Sequence, residues 1–154
     1  MIPLIGSICQ GPLGICQLPR TWWKVLTRKV ELLDASYPDN SGGLDAWCLD
    51  ALEIDLDEAY EYLRDELPDY VTFEGWLTER KGGPFVPARI ERFNKLVANR
   101  VHSRPHKIVE TYGDIGYDVN THTEVGSLIL NTLQDWQLFH NTDYPDSVPN
   151  NMPP

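Results

Sequence analysis

Apolar side chains recur at intervals of three and four residues along most of this chain, which is the spacing of amphipathic helices. Pro19 can begin the first helix, because a residue without an N–H group is tolerated there. Four apolar residues then form a stripe that we expect to be buried: Trp22, Leu26, Val30 and Leu33. The spacing returns over residues 44–52, after the turn-forming sequence YPDNSGG at 37–43.

Capping residues and helix breakers divide the rest of the chain. Asp55 and Glu58 have the spacing of a capping box, and Pro68 stops the helix that follows them. Thr72 is the predicted N-cap of a short helix that Gly82 terminates. Three further helices are predicted at 87–103, 105–112 and 123–140, the second of them capped by Gly113.

No segment alternates apolar and polar residues between hairpin turns, so the sequence indicates no sheet. We predict an all-α fold: one compact domain of about six or seven helices over residues 1–140, with an irregular N-terminal segment. Residues 141–154 are rich in Pro and Asn and are predicted to be a disordered tail.

The length of 154 residues suits one domain, and the composition narrows its partners. The chain has 13 basic and 23 acidic residues, so its formal charge is −10 at pH 7. That charge repels phosphate backbones and anionic lipid, and we expect neither nucleic acid nor membrane partners. An odd number of cysteines, three, and the absence of a targeting signal predict a reduced, cytoplasmic protein.

No resident metal or cofactor is expected from the motifs. Cys9, Cys16, His102 and His106 lack the close pairing of zinc ligands, and a calcium loop counted from Asp114 would place Val125 where a bidentate Glu is required. The chain contains no GxGxxG, P-loop, GxSxG or HExxH sequence. Nucleotide-dependent and common hydrolase mechanisms are therefore not favoured.

Arg20 and Lys24 are the strongest candidate ligand-binding residues. They lie one turn apart at the start of the first predicted helix, where free N–H groups and the helix dipole favour an anion. A carboxylate or phosphate would fit there. The alternative is structural, with Arg20 and Lys24 paired to Asp45 or to another internal carboxylate.

Two function hypotheses follow from these residues. In the first, an inter-helix pocket binds an acidic organic molecule between Trp23 and Tyr60, and the protein is either a binder or a cofactor-free isomerase, lyase or cyclase with His122 or His106 as the general base. In the second, the protein is a non-enzymatic homodimeric interaction module that uses Trp23 as its contact.

Several short motifs resemble one known family. They are GPLG at 11–14, LPR at 18–20 with Trp22 and Lys24, Leu44-Asp45, YVTFEGW at 70–76 and Asp135-Trp136. Together they are similar to a family of small bacterial proteins described as domain of unknown function 5069. The resemblance implies a compact, helical, cytosolic protein and carries over no activity. Residues 97–119 depart from the family pattern, because they are more basic and richer in histidine.

Overall fold

The computed structural model describes residues 1–38 and 42–143, and within these ranges the chain folds into seven helices and no sheet. The predicted all-α fold is confirmed. The helices are α1 Leu18–Lys29, α2 Leu44–Ala51, α3 Leu56–Glu66, α4 Tyr70–Lys81, α5 Pro87–Asn99, α6 Pro105–Ile115 and α7 Ser127–Asp143. None of them, within the described residues, has the length and apolarity needed to cross a membrane.

The first five helices enclose the main core. α1 packs on α2, α3 and α4, and α2 packs on α5. α6 packs chiefly on α7, and α7 also packs on α5. The core is built from large aliphatic and aromatic side chains contributed by each of these five helices and by the segment before them: Ile15, Leu18, Leu49, Leu52, Tyr60, Leu63, Phe73, Leu77, Phe93 and Val97.

The buried face of α1 differs from the predicted one. Trp22 and Leu26 are only half-buried against the core, and Val30 lies beyond the end of the helix with 47% of its surface exposed. The buried residues of the helix include four polar ones: Arg20, Thr21, Lys24 and Thr27. The spacing of apolar residues predicts the buried face of α1 incorrectly, because it does not take account of polar side chains that are buried with partners elsewhere in the chain.

The N-terminal segment is irregular, as predicted, and hydrogen bonds fasten it to two helices. The backbone N–H of Leu13 donates to Glu74 of α4 at 3.1 Å. On α5, the side-chain oxygen of Asn94 accepts from the N–H of Cys16 at 2.8 Å, while its NH₂ group donates to the carbonyl of Gly14 at 2.7 Å. Glu74 and Asn94 therefore supply hydrogen-bond partners to backbone groups in a segment that belongs to no helix or sheet.

Several helix ends differ from the prediction. α1 ends at Lys29, before the last residue of the predicted stripe. The N-cap of α4 is Asp69 instead of Thr72, because the Asp69 carboxylate accepts from the N–H of Thr72 at 2.8 Å. The predicted roles of Asp55 and Gly82 as caps are confirmed.

The last helices also end later than expected. α6 continues to Ile115 because Gly116, and not Gly113, adopts the left-handed conformation that ends it, with φ 74°. α7 extends to Asp143, three residues into the predicted tail, and residues 144–154 lie outside the described residues. The predicted turn at 37–43 is partly outside them as well, since residues 39–41 are not described.

Replacement of Gly11 by Ala is expected to destabilise the fold by about 1–3 kcal/mol, the usual range for overpacking. A Cβ at this position would meet the ring of Tyr70 and would lie 2.5 Å from both the Tyr70 hydroxyl and Oε1 of Glu74. Urea unfolding followed by circular dichroism measures the effect.

Gly75→Ala is the matched control for this substitution. Gly75 is exposed inside α4, and an added Cβ there has no neighbour within 4 Å. Because Ala is the better helix former, Gly75→Ala should stabilise the protein by about 0.5–1 kcal/mol. Equal effects of the two changes would contradict the tight contact at Gly11.

Candidate functional site

Arg20, the first predicted ligand anchor, is held by groups of the chain itself. Its two terminal nitrogens donate to the carboxylate of Asp135 in α7, at 2.7 and 3.0 Å. Nη1 also donates to the carbonyl oxygens of Pro3 at 3.0 Å and Ile5 at 2.7 Å. Arg20 is only 8% exposed and Asp135 only 6%. The anion beside Arg20 is therefore an internal carboxylate.

Lys24, the second predicted anchor, is paired in the same way. Its Nζ donates to Oδ2 of Asp45 at 2.6 Å. The other oxygen of Asp45 accepts from Nε2 of Gln17 at 2.7 Å and from the hydroxyl of Thr21 at 2.6 Å. Asp45 is 1% exposed, so this network is removed from solvent. The structural pairing that the sequence left as an alternative is the arrangement observed for both cations.

Tyr37 joins the Arg20–Asp135 pair from the loop after α1. Its hydroxyl donates to Asp135, and Cζ of Arg20 lies 5.8 Å from the centre of its ring. Burial and the neighbouring carboxylate both raise the pKa of Tyr37, because each disfavours the phenolate. The three side chains form the floor of a polar cleft of about 640 Å³ whose walls include Lys107 and Asp114.

The other residues predicted near these cations lie elsewhere. Tyr60 is a core residue with 2% of its surface exposed, and the guanidinium of Arg64 lies 5.3 Å from its ring centre. Trp23 is half-buried on α1. Neither of them is among the residues that line the cleft at Arg20. The described residues therefore do not bring Trp23 and Tyr60 together with Arg20 in one cleft.

The two candidate general bases are exposed and apart from this cleft. The ring of His122 stacks on that of Tyr117 with centres 4.0 Å apart, and its Nδ1 lies 3.1 Å from the backbone N of Asp118. His106 is exposed in the first turn of α6. Neither histidine is among the residues lining the cleft that reaches Arg20. No contact in the described residues joins either histidine to the predicted ligand anchors.

A second pocket, which the sequence did not indicate, lies between α2 and α5. Its volume is about 430 Å³. We call it the α2–α5 pocket, and it is lined by Trp47, Asp50 and Ala51 of α2 and by Arg89, Arg92, Phe93 and Leu96 of α5. The α5 residues recur at spacings of three, one and three, so they share one face of the helix. That combination of arginines with apolar residues on one face was the signal available in the sequence.

The charged groups of the α2–α5 pocket differ in whether they are already paired. Arg89 contacts two carboxylates, Oε1 of Glu53 at 3.1 Å and Oδ2 of Asp50 at 3.4 Å. Arg92 has no carboxylate within ion-pair distance among the side chains described in residues 1–38 and 42–142. The pocket thus presents one guanidinium whose charge no carboxylate in the described part of the chain neutralises.

Aromatic surface is exposed beside that guanidinium. Trp47 keeps 44% of its surface exposed, and the guanidinium carbon of Arg100 lies 5.2 Å from the centre of its ring. Cation–π contact of this kind orients an indole without covering it completely. An apolar surface edged by an unpaired cation suits a ligand that has an apolar body and an anionic group.

Arg20→Ala is expected to lower the free energy of unfolding by about 3–5 kcal/mol, because it leaves a buried carboxylate without its charged partner. Thermal and urea unfolding measure this loss. Arg80→Ala is the matched control, since Arg80 makes a similar forked contact with Glu58 on the surface, at 2.8 and 2.6 Å. The surface change should have a much smaller effect. Comparable losses for the two variants would contradict the importance of burial.

The stability of the protein should fall as the pH rises above about 10, the ordinary pKa of tyrosine. The pKa of Tyr37 and that of Tyr70 are both raised by burial and by a hydrogen-bonded carboxylate. The unfolded chain therefore releases protons that the folded chain keeps, and each tyrosine contributes a slope of up to about 1.4 kcal/mol per pH unit.

The double variant Tyr37→Phe, Tyr70→Phe tests this prediction. Urea unfolding at a series of pH values from about 9 to about 11.5 should give a flatter dependence than in the wild type, because neither phenylalanine titrates. Identical slopes in the two proteins would contradict it. The absolute stability of the variant is also expected to be lower, since Asp135 and Glu74 each lose a donor.

Comparison with known proteins adds no further constraint on the site. No protein-family model, curated protein or solved structure matches this chain. The similarity to the domain of unknown function 5069 proteins therefore stays a prediction from the residues that carry it.

Proposed function

We propose that this protein binds an acidic organic small molecule in the α2–α5 pocket. The ligand class, an acidic organic molecule, is the one predicted from the sequence. The proposed site, however, lies between α2 and α5 and not at the start of α1. One observation carries the proposal: Arg92 lines an apolar pocket and has no carboxylate partner among the described residues.

An unpaired guanidinium in this position is notable because carboxylates are abundant. The chain has 23 acidic and 13 basic residues. Several of its cations are paired with carboxylates, including the predicted ligand anchors Arg20 and Lys24. Arg89, three residues before Arg92, has two carboxylate neighbours. Arg92 therefore keeps its full capacity to form a forked, charge-assisted contact with an anion.

The apolar part of the α2–α5 pocket supplies the rest of the interaction. Phe93 is 5% exposed and belongs to the core, while Leu96 is 41% exposed and Trp47 is 44% exposed. A bound ligand would cover part of the last two side chains and remove their surface from water. The volume of about 430 Å³ lies within the range of small-molecule sites.

The proposal is for binding, not for catalysis. The one carboxylate among the lining residues is Asp50, which lies beside Arg89, and none of these residues is a histidine. The acid–base enzyme with His106 or His122 as its base stays a prediction without a geometric argument. So does the homodimer through Trp23, a side chain that is only half-buried on α1.

Arg92→Ala is expected to weaken anion binding by about tenfold or more, because hydrogen bonds to charged groups are the strong ones. The probe is 1-anilinonaphthalene-8-sulfonate, an apolar anion whose fluorescence rises in apolar surroundings. Titration of the wild type and the variant gives the two dissociation constants. Far-UV circular dichroism and thermal unfolding establish that both proteins are folded.

Lys95→Ala is the charge-matched control. Lys95 also lies on α5, but it pairs with Glu91 and is not among the residues lining the α2–α5 pocket. Its removal lowers the net charge by the same amount and should leave the affinity for the dye within about twofold. If both variants bind as tightly as the wild type, or if both lose affinity equally, the proposed site is rejected.

A further inference from the structure

We infer that the ligand of the α2–α5 pocket is a small aromatic acid with a single negative charge. This inference rests on the proposed function and specifies its ligand class. Three features of the pocket carry it: the aromatic side chains Trp47 and Phe93, the single unpaired guanidinium of Arg92, and the carboxylate of Asp50 on the opposite helix.

The aromatic part of the inference comes from the pocket surface. Trp47 and Phe93 both line it, and a large part of the Trp47 indole is exposed. Aromatic rings attract one another in offset or edge-to-face geometry more strongly than their buried area alone predicts. Arg100 lies over the Trp47 ring and restrains its orientation. A planar ring is therefore a better match to this surface than a saturated one.

The single charge follows from the balance of ions around the pocket. Arg89 already faces the carboxylates of Asp50 and Glu53, so it offers no uncompensated charge to a ligand. The Asp50 side chain is 83% exposed and lines the pocket from α2. A second anionic group on the ligand would meet Asp50 and the net charge of −10, and the lining residues as described include no second arginine without a carboxylate neighbour to balance it.

The pocket volume limits the body of the ligand. A volume of about 430 Å³ is near the lower end of the range for small-molecule sites. One ring or two fused rings with a short carboxylate arm fit this space, whereas nucleotides and long acyl chains would extend well beyond it. The geometry thus favours compact acids such as arylacetates.

Four related compounds separate the contributions of ring, charge and charge number. Phenylacetate carries one ring and one charge, cyclohexylacetate replaces the ring by a saturated one, phenylacetamide removes the charge, and phenylmalonate adds a second charge. Binding is followed in ¹H–¹⁵N spectra by the backbone amide shifts of Ala51 and Leu96, which line the pocket and are present in every variant, and in the proteins that keep Trp47 also by its indole N–H, assigned by comparison with Trp47→Phe. Lys95→Ala again serves as the control protein.

Phenylacetate is expected to bind about tenfold more tightly than phenylacetamide and about threefold more tightly than cyclohexylacetate and phenylmalonate. In Arg92→Ala the advantage over the amide should disappear. In Trp47→Leu, which keeps an apolar side chain, the advantage over cyclohexylacetate should disappear. Lys95→Ala should retain both affinity advantages of phenylacetate, the one over phenylacetamide and the one over cyclohexylacetate.

The outcomes distinguish the inference from the proposed function. If cyclohexylacetate or phenylmalonate binds as tightly as phenylacetate while Arg92→Ala still weakens every acid, the aromatic monoanion is rejected and the acidic-ligand site stands. If none of the four compounds binds but binding of the naphthalenesulfonate dye still depends on Arg92, the aromatic monoanion is again rejected and the acidic-ligand site again stands. If neither the dye nor the acids depend on Arg92, both proposals are wrong.

Discussion

The buried ion pair between Arg20 and Asp135 is the interaction on which the arrangement of the molecule depends most. It joins α1 to α7 across 115 positions of sequence, and the same guanidinium binds two carbonyls of the N-terminal segment. Tyr37 adds the loop after α1 to this group. Because buried charges are costly unless fully paired, each of these segments must reach its place for the pair to be stable. The pair therefore favours one arrangement of α6 and α7 over others that would pack similar apolar area.

The buried cations of this acidic chain and the arginine at the α2–α5 pocket have different consequences. Arg20 and Lys24 lie inside the fold, where Asp135 and Asp45 neutralise them and neutral donors complete the hydrogen bonding. Arg92 lies at the edge of an apolar pocket and has no such partner in the part of the chain that the structure describes. The buried cations contribute to the specificity of folding, whereas Arg92 has capacity left for an external anion. Burial and pairing, and not position at a helix start, therefore distinguish the proposed ligand contact.

The helix α5 contacts the N-terminal segment and also forms one wall of the α2–α5 pocket. The Asn94 side chain fastens the N-terminal segment to one side of α5, since it accepts a hydrogen bond from the N–H of Cys16 and donates one to the carbonyl of Gly14. The preceding residues, Arg92 and Phe93, line the α2–α5 pocket, and the salt bridges from Arg89 to Asp50 and Glu53 connect α5 to α2. A pocket whose walls are held from both sides needs little rearrangement to accept a ligand. Such preorganisation would reduce the entropic cost of the binding proposed here.

The features that the sequence alone predicted correctly are those that depend on interactions between residues close together in the chain. The existence and order of the helices follow from apolar spacing, and the caps at Asp55 and Gly82 follow from groups within three or four residues. The sequence also raised internal pairing of Arg20 and Lys24 as an alternative. Only the tertiary structure identified Asp135 as the partner of Arg20, placed polar residues on the buried face of α1, and brought α2 and α5 together around Arg92. Those contacts depend on which helices meet in space, and helical periodicity specifies the faces of a helix but not its neighbours.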